Sequence, residues 1–202
     1  MKRKKDFYSK RAEKEGYPAR SVYKLKEIQE KYGVIKRNYR VLDIGSSPGS
    51  WSLYLLRELG IKREVVGIDM KRIEESRINF SNFKFIHADI MREDVFEKLK
   101  PYAPFDVILS DVAPYTSGNR DVDAYRSAEL VRRVVKIADT FLVNGGNIVV
   151  KIFQSNELQG ILREIKCRFD FGKSFKPMAS RSESYEIFIV GKGYKGCDRG
   201  DF

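Results

Sequence analysis

From residue 39 onward, short runs of apolar residues alternate with stretches in which apolar positions recur every three or four residues. Continuous runs of roughly four to eight residues suit buried strands, and the longer period suits helices packed by one face. The strand candidates are 39–44 (YRVLDI), 64–69 (EVVGID), 83–88 (FKFIHA), 105–110 (FDVILS), 147–153 (NIVVKIF), 169–175 (FDFGKSF) and 185–190 (YEIFIV). Helices are predicted over 50–59, 92–100, 121–142 and 156–168. Ahead of them, 19–32 reads as a helix with Val22, Leu25, Ile28 and Tyr32 on one stripe. Lys24 falls at the border of that stripe and is expected to point along the protein surface into a cleft.

Strands alternating with helices predict an α/β fold, a Rossmann-like, doubly wound sheet of seven mostly parallel strands. Ligands of such sheets bind beyond the carboxyl ends of the strands. The last two strands have only a short connection, containing Pro177, which predicts an antiparallel C-terminal hairpin at the sheet edge. That ending resembles methyltransferases more than dinucleotide dehydrogenases. The expected organisation is a basic N-terminal arm and helix (1–38), the sheet domain (39–192) and a tail of unread role (193–202).

Charge changes this picture in one place. The chain of 202 residues carries a formal charge of +11. Residues 1–40 hold 14 Lys+Arg against 5 Asp+Glu, whereas residues 41–202 hold 25 against 23, so nearly all the excess is N-terminal. Phe7, Tyr8, Tyr17, Tyr23 and Tyr32 are interleaved with it, a pattern suited to phosphate neutralisation and base stacking. The competing reading is a solvated arm. Two cysteines 30 residues apart and a single histidine argue against a zinc site or a disulfide framework, so no metal is expected. With no signal peptide or membrane-length apolar run to read, a cytoplasmic location and no membrane partner are expected.

The loop VLDIGSSPGSW (41–51) sets Gly45 and Gly49 between a strand and a helix, where the backbone can approach a ligand. Residues 45–49 match a nucleophile elbow literally. The elbow's oxyanion hole, however, needs the N–H of the residue after the serine, and Pro48 has none. A Walker A loop fails too, because Gly172-Lys173-Ser174 would need its first glycine at Cys167. A nucleoside cofactor is left, either NAD or S-adenosylmethionine. Asp69 ends the second strand candidate, placed to accept from two ribose hydroxyls, and Asp89 follows the third, placed to accept from an adenine amino group. NAD requires the G-x-G-x-x-G pattern for its pyrophosphate; S-adenosylmethionine carries no phosphate, so the looser loop suffices.

Asp111 follows the buried run FDVILS and opens DVAPYTSG (111–118), where this architecture puts its chemistry. Lys151 lies inside NIVVKIF, where a lone charge is costly unless paired. Glu186 follows SRSESY at the start of the last strand. With the helix segment SVYKLKEI, the loop DIGSSPGSW, SDVAPYTSG, VVKIFQ and SRSESYEIFIV, the chain from about Arg11 to Val190 resembles the FtsJ/RrmJ family of S-adenosylmethionine-dependent RNA ribose 2′-O-methyltransferases. The resemblance implies a class I methyltransferase fold and a catalytic tetrad of Lys24, Asp111, Lys151 and Glu186. It implies cofactor contacts at Gly45, Gly49, Trp51, Asp69, Asp89 and Asp111. Ser50 departs from the glycine common there in the family.

Targets within the family include large-subunit ribosomal RNA and the tRNA anticodon loop. The compact form, without an added RNA-binding domain, resembles members that act on the A-loop uridine of large-subunit RNA. The implied partner is that RNA or a ribosomal particle rather than DNA, with the enzyme a monomer. Base methylation is the nearest enzymatic rival, but DVAPY lacks the first proline of the Asn/Asp-Pro-Pro-aromatic stretch that grips an amine. A non-catalytic RNA-binding assembly factor is the rival from another class; the presence of all four tetrad residues argues against it.

Overall fold

The computed structural model describes residues 6–74, 77–181 and 183–196. Two helices, α1 (Phe7–Lys14) and α2 (Val22–Tyr32), precede the sheet. Its strands are β1 (Val41–Ile44), β2 (Val65–Asp69), β3 (Phe83–His87), β4 (Phe105–Ser110), β5 (Leu142–Phe153), β6 (Phe169–Phe175) and β7 (Glu186–Tyr194). Between them run α3 (Ser50–Arg57), α4 (Val95–Leu99), α5 (Arg120–Phe141) and α6 (Glu157–Arg168). The strands lie in the order β3-β2-β1-β4-β5-β7-β6, the order of connection reversing between β1 and β4, where such sheets open a crevice. The strands β1 to β5 pair in parallel, and β7 is antiparallel to both β5 and β6. The expected C-terminal hairpin is present, with β7 inside it and β6 on the edge.

Period-two alternation sends side chains to two cores. Leu42, Ile44, Ile108 and Val150 pack against α4, α5 and α6 through Val95, Val134 and Ile161. Val41, Val107, Leu109 and Val149 pack against α1, α2 and α3 through Ala12, Leu25, Ile28 and Leu55. Each such fully buried Leu or Ile contributes roughly 1.5–3 kcal/mol by leaving water.

Several boundaries differ from the sequence pattern for local reasons. Helix α1 forms inside the segment read only as a charged arm, because Asp6 caps it by accepting from the Ser9 N–H at 2.9 Å, and Ala12 and Tyr17 are buried. Helix α2 starts at Val22 rather than residue 19, since the Ala19 N–H goes to Ser50 Oγ at 2.7 Å. Pro101 closes α4 in a short 3-10 turn. Cys167 is disulfide-bonded, a bond at odds with the expectation against a disulfide framework; Cys197, like the rest of the predicted tail beyond residue 196, lies outside the described residues. Among the described residues no helix is long and apolar enough to cross a membrane, and no group of three or more His, Cys, Asp or Glu could hold a metal.

The N-terminal helices are fastened to the β6–β7 connection. Arg20 bonds both the Asp6 carboxylate and the Ala179 carbonyl, and Glu27 accepts from the Met178 and Ala179 N–H groups at 2.7 and 2.8 Å. Trp51 Nε1 donates to the Ser21 carbonyl at 2.9 Å, tying α3 to the start of α2.

One acid sits inside this framework. Asp43 on β1 is fully buried; its Oδ2 accepts from Ser52 Oγ at 2.6 Å, while Oδ1 has no hydrogen-bond partner among the described residues. Burial pushes its carboxyl up to about 7, and the nearby charges of Asp111 and Asp69 act in the same direction against the Ser52 hydrogen bond. A carboxyl whose pKa is raised on folding binds its proton more tightly in the native state. Stability is therefore lost as pH rises from the ordinary carboxylate range to about 7. Asp43→Asn removes that loss, so its stability relative to the parent should rise by roughly 2–3 kcal/mol between pH 5 and pH 8 in urea melts. Parallel pH profiles for the two proteins would refute the assignment.

Candidate active site

The loop between β1 and α3 folds back against the end of β2. The Gly45 and Ser46 N–H groups donate to the Ile68 carbonyl at 2.9 and 3.3 Å, and the Ser47 N–H donates to Asp69 Oδ2 at 2.9 Å. Gly45 has φ of +77°, and a Cβ there would stand 2.7 Å from the Val112 backbone nitrogen, so only glycine lets this loop meet the segment after β4. Gly49, at φ +106°, caps α3, and a Cβ there would meet Ile78 at 2.9 Å.

Beyond the carboxyl ends of β1 to β4 lies a cleft of about 680 Å³. Gly45, Asp69, Asp89 and Asp111 line it; its apolar walls include Ile68, Ile90 and Val112, and Tyr115 and Arg126 stand among its outer residues. Asp69 Oδ1 accepts from the Lys71 N–H at 2.7 Å, and Asp89 Oδ1 from the Met91 N–H at 2.9 Å. Both carboxylates keep lone pairs for a ligand. Gly49 and Trp51 stand outside the cleft lining: Gly49 shapes the loop, and buried Trp51 packs on Phe188 with ring centroids 5.9 Å apart. His87, the base a nucleophile elbow would need, is bound to the Met70 carbonyl at 2.8 Å.

Lys24, Asp111, Lys151 and Glu186 converge beside this cleft. Lys151 Nζ lies 2.9 Å from Asp111 Oδ1 and 3.9 Å from Glu186 Oε1, and it also donates to the Asp111 carbonyl. Lys24 Nζ reaches Glu186 Oε2 at 2.6 Å and lies over the Phe188 ring at 5.7 Å. Register explains the convergence. Lys151 pairs with Phe188 and Phe153 with Glu186, so Lys151 and Glu186 are diagonal neighbours across β5 and β7, on the face that α2 covers. The lysine side chains are 10% exposed at Lys24 and 6% at Lys151, so each needs its carboxylate. Burial works against the charge of Glu186, yet Lys24 and then Lys151 outweigh it and hold this carboxyl below its ordinary range.

Two residues that shape the site were not among the sequence candidates. Buried Arg133 donates to the Ile90 and Arg92 carbonyls, both at 2.6 Å, and pairs with Glu93 at 2.8 Å, fixing the segment that follows Asp89. It lies in the run VRRVVK of the helix predicted over 121–142, and only its contacts reveal the role. Asp123 accepts from the Ser117 N–H and hydroxyl at 2.7 and 2.8 Å and from the Gly118 N–H at 3.3 Å, pinning the loop that carries Tyr115. Those backbone and hydroxyl donors lower its carboxyl pKa.

The FtsJ-like methyltransferase family model matches residues 17–194. A ribosomal RNA large subunit methyltransferase E of Nitratidesulfovibrio vulgaris is 41% identical over 203 residues, covering 100% of this chain and 98% of that one. A protein of the same name from Methanothermobacter thermautotrophicus is 40% identical over 199 residues, covering 98% of this chain and 93% of its own. Among solved structures, a Plasmodium falciparum chain described as a ribosomal RNA methyltransferase superposes with a TM-score of 0.79 at 31% identity, over 89% of this chain and 100% of that chain. Sheet order, cleft and near-complete matches agree, and this chain belongs to the FtsJ-like methyltransferase family.

Proposed function

We propose that this protein transfers a methyl group from S-adenosylmethionine to a ribose 2′-hydroxyl of large-subunit ribosomal RNA, the A-loop uridine being the target. The observation that carries the reading is the Lys24–Glu186–Lys151–Asp111 array at the edge of a cleft that holds three strand-end carboxylates. The names of the relatives support the RNA class.

The cleft fits the cofactor. Its volume falls within the roughly 300–1,000 Å³ of small-molecule sites. Asp69 would accept from the ribose hydroxyls and Asp89 from the adenine amino group, with Ile68, Ile90 and Val112 as apolar walls. Asp111 would face the cationic methionine end. Ser46 Oγ, buried without a partner among the described residues, is a further polar atom at the loop. When bound, the cofactor supplies an electrophilic sulfonium methyl, so the protein has only to align the hydroxyl and manage one proton.

Lys151 is the group that meets that proton or the developing charge. As an amine it would accept the proton; as an ammonium it would stabilise the alkoxide. Asp111 orients Lys151 through two contacts, and the Lys24–Glu186 pair holds the hydroxyl from the other side. Exposed Lys10 and Lys14 on α1, with Phe7 72% exposed, supply an RNA-docking face next to α2.

Lys151→Ala should lower methyl transfer about 10²–10⁴-fold, read as tritium incorporated into large-subunit RNA, with cofactor affinity unchanged. Lys151→Arg keeps the charge and cannot act as a base, so residual activity above the alanine variant assigns alkoxide stabilisation and its absence assigns the base. Near-parental turnover in both variants, or label found only in tRNA, would overturn the reading. In calorimetry, Asp69→Ala should weaken S-adenosylmethionine binding about tenfold or more, as expected for a lost hydrogen bond to a charged group; equal affinity would move the ribose contact elsewhere. Lys10→Ala with Lys14→Ala should weaken RNA binding and reduce its salt slope by about two, leaving cofactor binding intact.

A further inference from the structure

Arg120 opens α5, just beyond the loop that leads from Asp111, and its guanidinium lies 5.2 Å from the centroid of the Tyr185 ring. Tyr185 is braced edge-on by Phe153, with centroids 4.6 Å apart, and its carbonyl accepts from the Gln154 N–H at 2.7 Å. Phe153 is the register partner of Glu186, so this stack stands where β5 and β7 assemble the tetrad.

Arg120 keeps its donors unspent within the protein. Elsewhere on α5 and α6, Arg132, Arg133 and Arg168 each pair with a carboxylate, whereas Arg126 and Arg163, like Arg120, form no ion pair among the described residues. Arg120 is exposed, and among the described residues its N–H donors meet no carboxylate or carbonyl. Of the acids that follow it, Asp123 is spent on Ser117 and Gly118, and Asp121 is exposed. A guanidinium positioned over an aromatic ring, with its fork unspent, is pre-organised for bidentate capture of a phosphate.

The substrate chemistry brings a phosphate there. In RNA the 2′-hydroxyl and the 3′-phosphodiester sit on adjacent carbons of one ribose. A ribose that presents its 2′-oxygen to Lys151 must carry that phosphate to the same strand ends. Resting on the ribose-methylation reading above, we infer that Arg120, mounted on Tyr185, grips the RNA phosphate beside the target ribose and so anchors the nucleotide whose hydroxyl faces Lys151.

The test uses full-length protein, large-subunit ribosomal RNA and tritiated S-adenosylmethionine. Arg120→Ala should raise KM for RNA about tenfold and reduce the slope of log Kd against log salt by about one, with cofactor affinity unchanged. Arg120→Lys should restore the slope but only part of the KM, because it keeps the charge and loses the fork. Tyr185→Phe retains the ring and should leave both quantities near the parental values. Unchanged KM and salt slope in Arg120→Ala, while the parent protein labels RNA normally, would overturn the proposal. Failure of the parent to label any ribose would instead overturn the methylation reading on which it rests.

Discussion

A lysine side chain buried in the middle of the sheet, between parallel β4 and antiparallel β7, dictates much of this molecule. Lys151 has Val150 and Ile152 as chain neighbours, both fully buried, and is itself almost wholly removed from water. Removing one partner of such a pair typically costs about 3–5 kcal/mol, so its partners are structural necessities. Asp111 meets it from the end of β4, two strands' ends facing each other across a parallel pair. Glu186 meets it from β7, which can stand beside β5 only because the last strand returns antiparallel. Glu186 in turn draws Lys24 from α2.

That chain of compensation explains why the N-terminal helices are built into the fold. Lys24 would not stay at Glu186 unless α2 were held. Trp51 fastens one end of the helix to α3, and Arg20 and Glu27 fasten its flank to the β6–β7 connection that leads into Glu186. The basic N-terminal segment therefore joins two tasks: it supplies a cation to the buried array, and it presents exposed lysines outward. Its charge excess over the rest of the chain is consistent with both.

The opposite charge is concentrated a few residues away. Asp43, Asp69 and Asp111 stand at the ends of β1, β2 and β4 closely enough that the latter two oppose ionisation of the first. Such crowding of carboxylates is unfavourable by itself and would be offset by the cationic cofactor proposed above. Arg133 and Asp123 lie outside the charged array. By satisfying the backbone of the segments after β3 and β4, they give the irregular walls of the cleft a defined shape.

Much of this was legible in the sequence, because the relevant signals are local. Apolar runs gave strands, helical stripes gave α2 and the later helices, and the short Pro177 connection predicted the hairpin. The charged residues at strand ends, Asp69, Asp89 and Asp111, stood out because an acid ending an apolar run has few other places to be in a doubly wound sheet. Lys151 stood out for the converse reason, as a charge inside such a run. What the sequence could not decide depends on contacts between distant segments. The capped helix α1 inside a charged arm, the roles of Trp51 and Gly49 as supports outside the cleft lining, and the service of Arg133 and Asp123 to loops they do not adjoin all arise from packing. The sequence by itself determined which residue types could carry the chemistry and in what order the strands that bear them follow. Only the tertiary structure decided that Lys24 and Glu186, 162 positions apart, share a hydrogen bond, because strand register and helix docking, and not spacing along the chain, set the distance between their charges.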